Sequence, residues 1–106
     1  INIVSFYKVD WEELPWETPF EGIRQKTKRE GGRQLRLVEY TPAVEPHWCE
    51  KGHFGYVLSG RFEIKFDGVT EVYEPGDGVF IPSGAEHRHM GTALTDVVRA
   101  IFVEDI

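Results

Sequence analysis

The sequence is poor in what staples or anchors a small protein. One cysteine among 106 residues excludes an internal disulfide and fits a reducing compartment, so a cytoplasmic location is expected. No apolar run approaches the roughly 20 residues that cross a bilayer as a helix, and no basic stretch leads into an apolar one near the start. Neither a membrane partner nor a secretory signal is therefore expected. Positive charge is in the minority, with 12 Lys and Arg against 18 Asp and Glu and a formal net charge of -6. Without a basic stripe, no nucleic-acid partner is expected. Helical periodicity is missing too, apart from one turn around Asp10 to Leu14 that Asp10 would cap and Pro15 would stop. There is no internal repeat and no low-complexity tract.

What remains reads as β. "LRLVEYT" from Leu35 is rich in strand-favouring residues and ends at Pro42. "RFEIKFDG" alternates, with Phe62, Ile64 and Phe66 on one face and Arg61, Glu63 and Lys65 on the other. Asp67-Gly68 predicts a hairpin, with "VTEVYEPGD" as the return strand. "GVFIPSG" and "EHRHM" add short strands. "LTDVVRAIFVED" is nearly continuous in apolar residues, as expected where both faces are covered. Short strands with turns every 8 to 12 residues predict an all-β barrel or sandwich.

The length predicts one domain. Residues 1–33 hold two of the three tryptophans and read as an extended N-terminal arm that packs on the barrel or on a partner subunit. Gly31 and Gly32 mark the turn after it, and residues 34–106 read as an antiparallel β-barrel. Leu35, Leu37, Phe62, Ile64, Phe66, Val98 and Phe102 are its expected core. Phe54, Tyr56 and Leu58 face opposite to His53, and so much outward apolar surface predicts a cover, by the arm or by a second subunit in a homodimer.

The chemistry-bearing residues gather in two segments. "PHWCEKGHFGYVLSG" holds two of the four histidines and the cysteine, and "EHRHM" holds the other two histidines. Side chains two apart on a strand share a face, so His47 pairs with Cys49, His53 with Gly55 and Val57, and His87 with His89. Imidazole and thiolate suit zinc, iron, copper and nickel, although a lone histidine is more often a surface or satisfied core residue than a ligand. His89 reads either as a proton shuttle or ligand-orienting partner or as a neutral core histidine. Arg99 interrupts its strand; it either meets a substrate carboxylate or pairs with a protein carboxylate or solvent. Glu50 reads as a solvated loop carboxylate.

"HWCEKGHFGYVLSG" resembles the first cupin motif, HxH, three or four residues, Glu, six residues, Gly. "GDGVFIPSGAEH" resembles the second, in which Gly76, Pro82, Gly84 and His87 fit residue by residue. Cys49 stands where the second histidine belongs, His53 where the glutamate belongs, and Gly91 where an asparagine often follows. The resemblance covers about residues 34–103. It implies a jelly-roll cupin barrel with one divalent transition metal (zinc, iron, nickel, manganese or copper) held by His47, His53 and His87, with Cys49 as a possible fourth ligand. Catalytic candidates are His89 and Cys49.

Two functions follow from that resemblance. One is a metal-dependent enzyme acting on a small oxygenated substrate, a sugar or organic acid, by isomerase, lyase or dioxygenase chemistry. The other is a non-catalytic metal or small-ligand binding or sensor protein, favoured if a closed site of three histidines and Cys49 leaves no open position.

Overall fold

A computed structural model describes residues 7–106; the first six residues of the expected arm lie outside the described residues. Nine antiparallel strands follow in chain order: β1 Glu17–Phe20, β2 Ile23–Glu30, β3 Arg33–Tyr40, β4 His53–Ser59, β5 Phe62–Phe66, β6 Val69–Tyr73, β7 Gly78–Ile81, β8 His89–Ala93 and β9 Val98–Asp105. They make a six-stranded sheet, β1-β2-β3-β9-β4-β7, facing a three-stranded one, β6-β5-β8. This is the expected jelly-roll class, built as two facing sheets that do not close into a continuous barrel. Phe62 and Ile64 of the small sheet pack into one cluster with Val38, Val57, Val98, Ala100 and Phe102 of the large one. Tyr40 stacks on Phe62 at 4.8 Å between ring centroids, tying the two layers together.

The expected arm is partly sheet. Residues 17–30 form β1 and β2, and β2 pairs with β3 along its whole length, from Ile23 opposite Tyr40 to Glu30 opposite Arg33. Its sequence hid this because "IRQKTKRE" has one apolar residue, Ile23, where a half-buried strand ordinarily alternates. Gly31 and Gly32, both at positive φ (59° and 75°), make the tight connection, which suits a two-residue hairpin. Ahead of β1, Asp10 caps a single 3-10 turn, Trp11–Glu13, as the sequence indicates. Trp16 lies over the outer face of β2, with the Arg24 guanidinium 3.9 Å and the Lys26 ammonium 4.8 Å from its ring centroid. Lys26 also donates to the Trp11 carbonyl at 2.7 Å.

Two further expectations change. On β3 the cavity-facing residues are Gln34, Arg36 and Tyr40, not Leu35 and Leu37. Leu37 is buried but pairs with Lys26, on the outer side. Inward polar residues reverse the parity that an apolar-inside rule assigns. The last strand starts at Val98 rather than Leu94 and alternates, with Val98, Ala100, Phe102 and Glu104 buried and Val103 exposed. Only one of its faces is covered, as antiparallel sheets permit.

Gly55 sits inward on β4 between His53 and Val57. A Cβ there would stand 1.8 Å from the Ile101 carbonyl oxygen and 2.9 Å from the Phe102 ring. The backbone of β9 cannot yield without breaking the β4–β9 ladder. Gly55→Ala is expected to lower stability by about 3 kcal/mol, the upper end of ordinary overpacking, measured by urea denaturation; an unchanged midpoint would mean that β4 and β9 can separate freely.

Candidate metal centre

The register of the large sheet builds a polar row at one end of the interior. Arg29 pairs with Gln34, Gln34 pairs with Glu104, and Phe54 pairs with Val103, so the neighbouring His53 and Glu104 meet side by side. Hydrogen bonds follow this row. Arg29 Nε donates to Gln34 Oε1 at 3.0 Å, and Gln34 Nε2 donates to Glu104 Oε1 at 2.6 Å. His53 Nδ1 hydrogen-bonds Glu104 Oε2. Arg36 closes on the same carboxylate with two donors, Nε to Oε1 at 2.8 Å and Nη2 to Oε2 at 2.6 Å. The Glu104 side chain is wholly buried. Burial alone would raise its pKa, but the hydrogen bonds from His53 and Arg36 overcome that and hold it at about 2.

The second half of the site comes from the loop before β4 and from the start of β8. Cys49 and His89 exchange both backbone hydrogen bonds, at 2.8 and 2.9 Å. Directly opposed residues of an antiparallel pair present side chains to the same face. The buried His89 ring then meets His53 edge-on, 5.1 Å between centroids. The ligand atoms of Cys49, His53 and His89 lie within 4.8 Å of one another. Hydrogen bonds from His53 first, then His89, bring the Cys49 thiol down to a pKa of about 5 against the opposing effect of burial, and the Lys51 backbone adds to them. Burial disfavours charge on His53, yet its hydrogen bonds to Cys49 and Glu104 prevail and raise its pKa.

Both imidazoles are oriented from behind. His53 turns Nδ1 to Glu104. His89 has Nδ1 3.1 Å from the His87 carbonyl; a carbonyl only accepts, so Nδ1–H donates and Nε2 is left to face Cys49. This carboxylate-or-carbonyl backing of a histidine is what metal ligands ordinarily have. The donor set, two backed imidazoles and a thiol already prone to ionise, fits a transition metal.

The structure does not bring His47 or His87 into this group. His47 lies exposed at the rim of the cavity, with Nδ1 3.2 Å from the Glu45 carbonyl. His87 ends a 3-10 turn, Ala85–His87, its side chain is 42% exposed, and its Nε2 is 3.8 Å from Glu86. The turn explains why His87 and His89 do not share a face, since strand parity begins only at His89. Arg99 pairs with Glu39 at 2.5 Å on the outer face. Glu104, Arg36 and Gln34 were not recognisable as site residues by type alone. Their signal was positional: Glu104 continues the inward parity of Val98, Ala100 and Phe102.

A cavity of about 480 Å³ opens in front of the group. In chelator-treated protein, alkylation of Cys49 should rise with pH through a midpoint near 5 and stay level above it, because the thiolate, not the thiol, is the nucleophile. Initial rates of iodoacetamide labelling measure this. A profile still climbing between pH 7 and the ordinary thiol pKa of about 8.5 would show that the imidazoles do not stabilise the thiolate.

The cupin domain family profile matches residues 36–104. A curated relative, Oryzines biosynthesis cluster protein J of Aspergillus oryzae, is 28% identical over 75 residues, which is 69% of this chain and 42% of that protein. The chain thus spans less than half the length of that relative. Among solved structures, KdgF from Halomonas sp. is similar at TM-score 0.70 and 25% identity, covering 89% of each chain. The polyketide cyclase RemF from Streptomyces resistomycificus is similar at TM-score 0.73 and 23% identity, covering 95% of this chain and 80% of its own. With two facing jelly-roll sheets, a histidine-bearing cavity between them and a profile match over most of its length, the chain belongs to the cupin domain family.

Proposed function

We propose that this cupin is a metal-dependent enzyme for a small oxygenated substrate, with the ion held by Cys49, His53 and His89. The observation that carries this reading is the backing of both imidazoles, Glu104 behind His53 and the His87 carbonyl behind His89. Three protein donors rather than four leave a position open toward the cavity. A divalent transition metal there supplies Lewis acidity toward a carbonyl or hydroxyl oxygen. The chain's own residues do the rest. Glu104 fixes the His53 tautomer, and Arg36 keeps Glu104 ionised. The Cys49 thiolate contributes a negative charge where the usual cupin glutamate is replaced by His53. The apolar walls exclude bulk water, which strengthens every electrostatic contact at the site. A reducing cytoplasm would keep the Cys49 thiol available.

A homodimer is part of the proposal. Phe54, Tyr56 and Leu58 are 39%, 49% and 39% exposed on the outer face of β4, and Phe80 of β7, whose ring lies 4.7 Å from that of Phe54, is 80% exposed. A patch this apolar ordinarily marks an interface. Sedimentation at micromolar concentration should give a dimer that Phe80→Ser weakens; a monomeric parent chain would remove the dimer from the proposal.

Metal content and affinity test the ligand set directly, by elemental analysis and calorimetric titration. His53→Ala and His89→Ala should each abolish tight binding, whereas His47→Ala and His87→Ala should retain it. Cys49→Ser should bind more weakly. Glu104→Gln should lose about 10–100-fold in affinity, the usual cost of removing a ligand's backing partner. The reverse pattern, with His47 and His87 essential and His89 dispensable, would overturn the assignment.

A further inference from the structure

We infer that the cavity takes a carboxylate with an apolar body, an aliphatic or aromatic acid, rather than a sugar. This inference rests on the proposed use of the cavity as the substrate site and narrows its substrate class.

The cavity has two unlike ends. The polar row from Arg29 to His53 occupies one. Beyond it the wall is Phe62, Ile64, Val79, Ile81, Ala93 and Phe102, every one buried. A sugar brings hydroxyls in every direction and needs a partner for each. Among the described residues, every buried side-chain nitrogen or oxygen already has one. Arg36 is engaged by Glu104, Gln25 and Tyr40, and Gln34 by Arg29 and Glu104. A hydroxyl pressed against the apolar wall would lose its water and gain nothing, and each such loss weakens binding by roughly tenfold. An apolar body would instead release water from both surfaces.

The sign of the polar end is also set. The charged residues lining the cavity are Arg29, Arg36 and Lys51; the carboxylate of Glu104 lies buried behind the wall, paired with Arg36. Arg29 is joined only to the amide of Gln34, and Lys51, exposed at the mouth, is in none of the salt bridges found among the described residues. In a chain of net charge -6, a cavity with cations to spare selects an anion.

The test is calorimetric titration of the zinc-loaded chain with straight-chain carboxylates from acetate to octanoate, with hexanol and glucuronate as comparisons. From butyrate upward, affinity should rise about fourfold per methylene, the value for a fully buried CH₂, until the cavity is full. Hexanol should bind more weakly than hexanoate, and glucuronate no more tightly than acetate. Ala93→Leu, which fills the apolar end, should stop the rise at a shorter chain, and its thermal unfolding verifies the fold; if it does not fold, the parent series decides. Affinity independent of chain length would overturn the inference. So would glucuronate binding more tightly than hexanoate, or a folded Ala93→Leu that leaves the series unaltered, since that would place the acids on the outer apolar face. Zinc stoichiometry is read separately. A chain-length gradient without zinc binding would remove the metal and keep the ligand class, and zinc binding without a gradient would do the opposite.

Discussion

The buried carboxylate of Glu104 is the constraint around which the interior is arranged. Removing a charge from water costs several kcal/mol even after relaxation, and Glu104 has no exposure to water at all. It is kept ionised by donors from two other strands: Gln34 and Arg36 of β3 and His53 of β4. Because its pKa is depressed from the ordinary 4.5 to about 2, its share of stability is complete above pH 4.5 and is lost as pH falls toward 2. Taking away Arg36 would strand the carboxylate, a defect of about 3–5 kcal/mol. A well-packed apolar triplet in its place could be as stable. What the apolar triplet could not do is hold His53 by Nδ1 and turn Nε2 toward Cys49.

The same arrangement explains why the apolar core and the site are separate regions of one interior. Val38, Val57, Val98 and Ala100 are fully buried at one end, and the row from Arg29 to His53 crosses the other. Pairing registers carry each polar residue to its neighbour across the sheet, so the row needs no loop to position it. Only Cys49 is delivered by a loop, and there the two-way backbone bridge to His89 substitutes for a strand. Gly55 belongs to this logic as well. Its missing side chain lets β4 approach β9 closely enough for His53 to reach Glu104.

Much of this was legible in the residues. The strand alternation of Phe62, Ile64 and Phe66, the Asp67-Gly68 hairpin and the two motif-like segments lead to the jelly-roll class, and His53, Cys49 and His89 were all marked as chemically meaningful. Their grouping was not legible. It depends on a 3-10 turn that takes His87 out of register with His89, and on a bridge between residues 40 positions apart. The polar strand β2 was hidden because its inward face carries Gln25, Thr27 and Arg29, and the parity of β3 was misread because Arg36 points in and Leu35 and Leu37 do not. Each failure has one cause: hydrophobic patterning locates an apolar interior, and this interior is polar at the end where the site lies.

Charge balance links that polar end to the kind of ligand the cavity can accept. Without a cation, the four central groups compensate one another, Arg36 with Glu104 and a protonated His53 with the Cys49 thiolate, which is the pairing that the raised His53 pKa and the lowered Cys49 pKa express. A divalent cation held as proposed would take the place of the proton on His53, so two positive charges would arrive and one would leave. The interior would then carry one net positive charge, with Arg29 and Lys51 still at the edge of the cavity. An uncharged ligand leaves that excess uncompensated in a largely apolar enclosure, where it is costly. A single carboxylate cancels it. In the proposed metal-loaded site, the thiolate in place of a further imidazole would set the excess at one rather than two, so Cys49 would bear on the choice of ligand through its charge as much as through its lone pair.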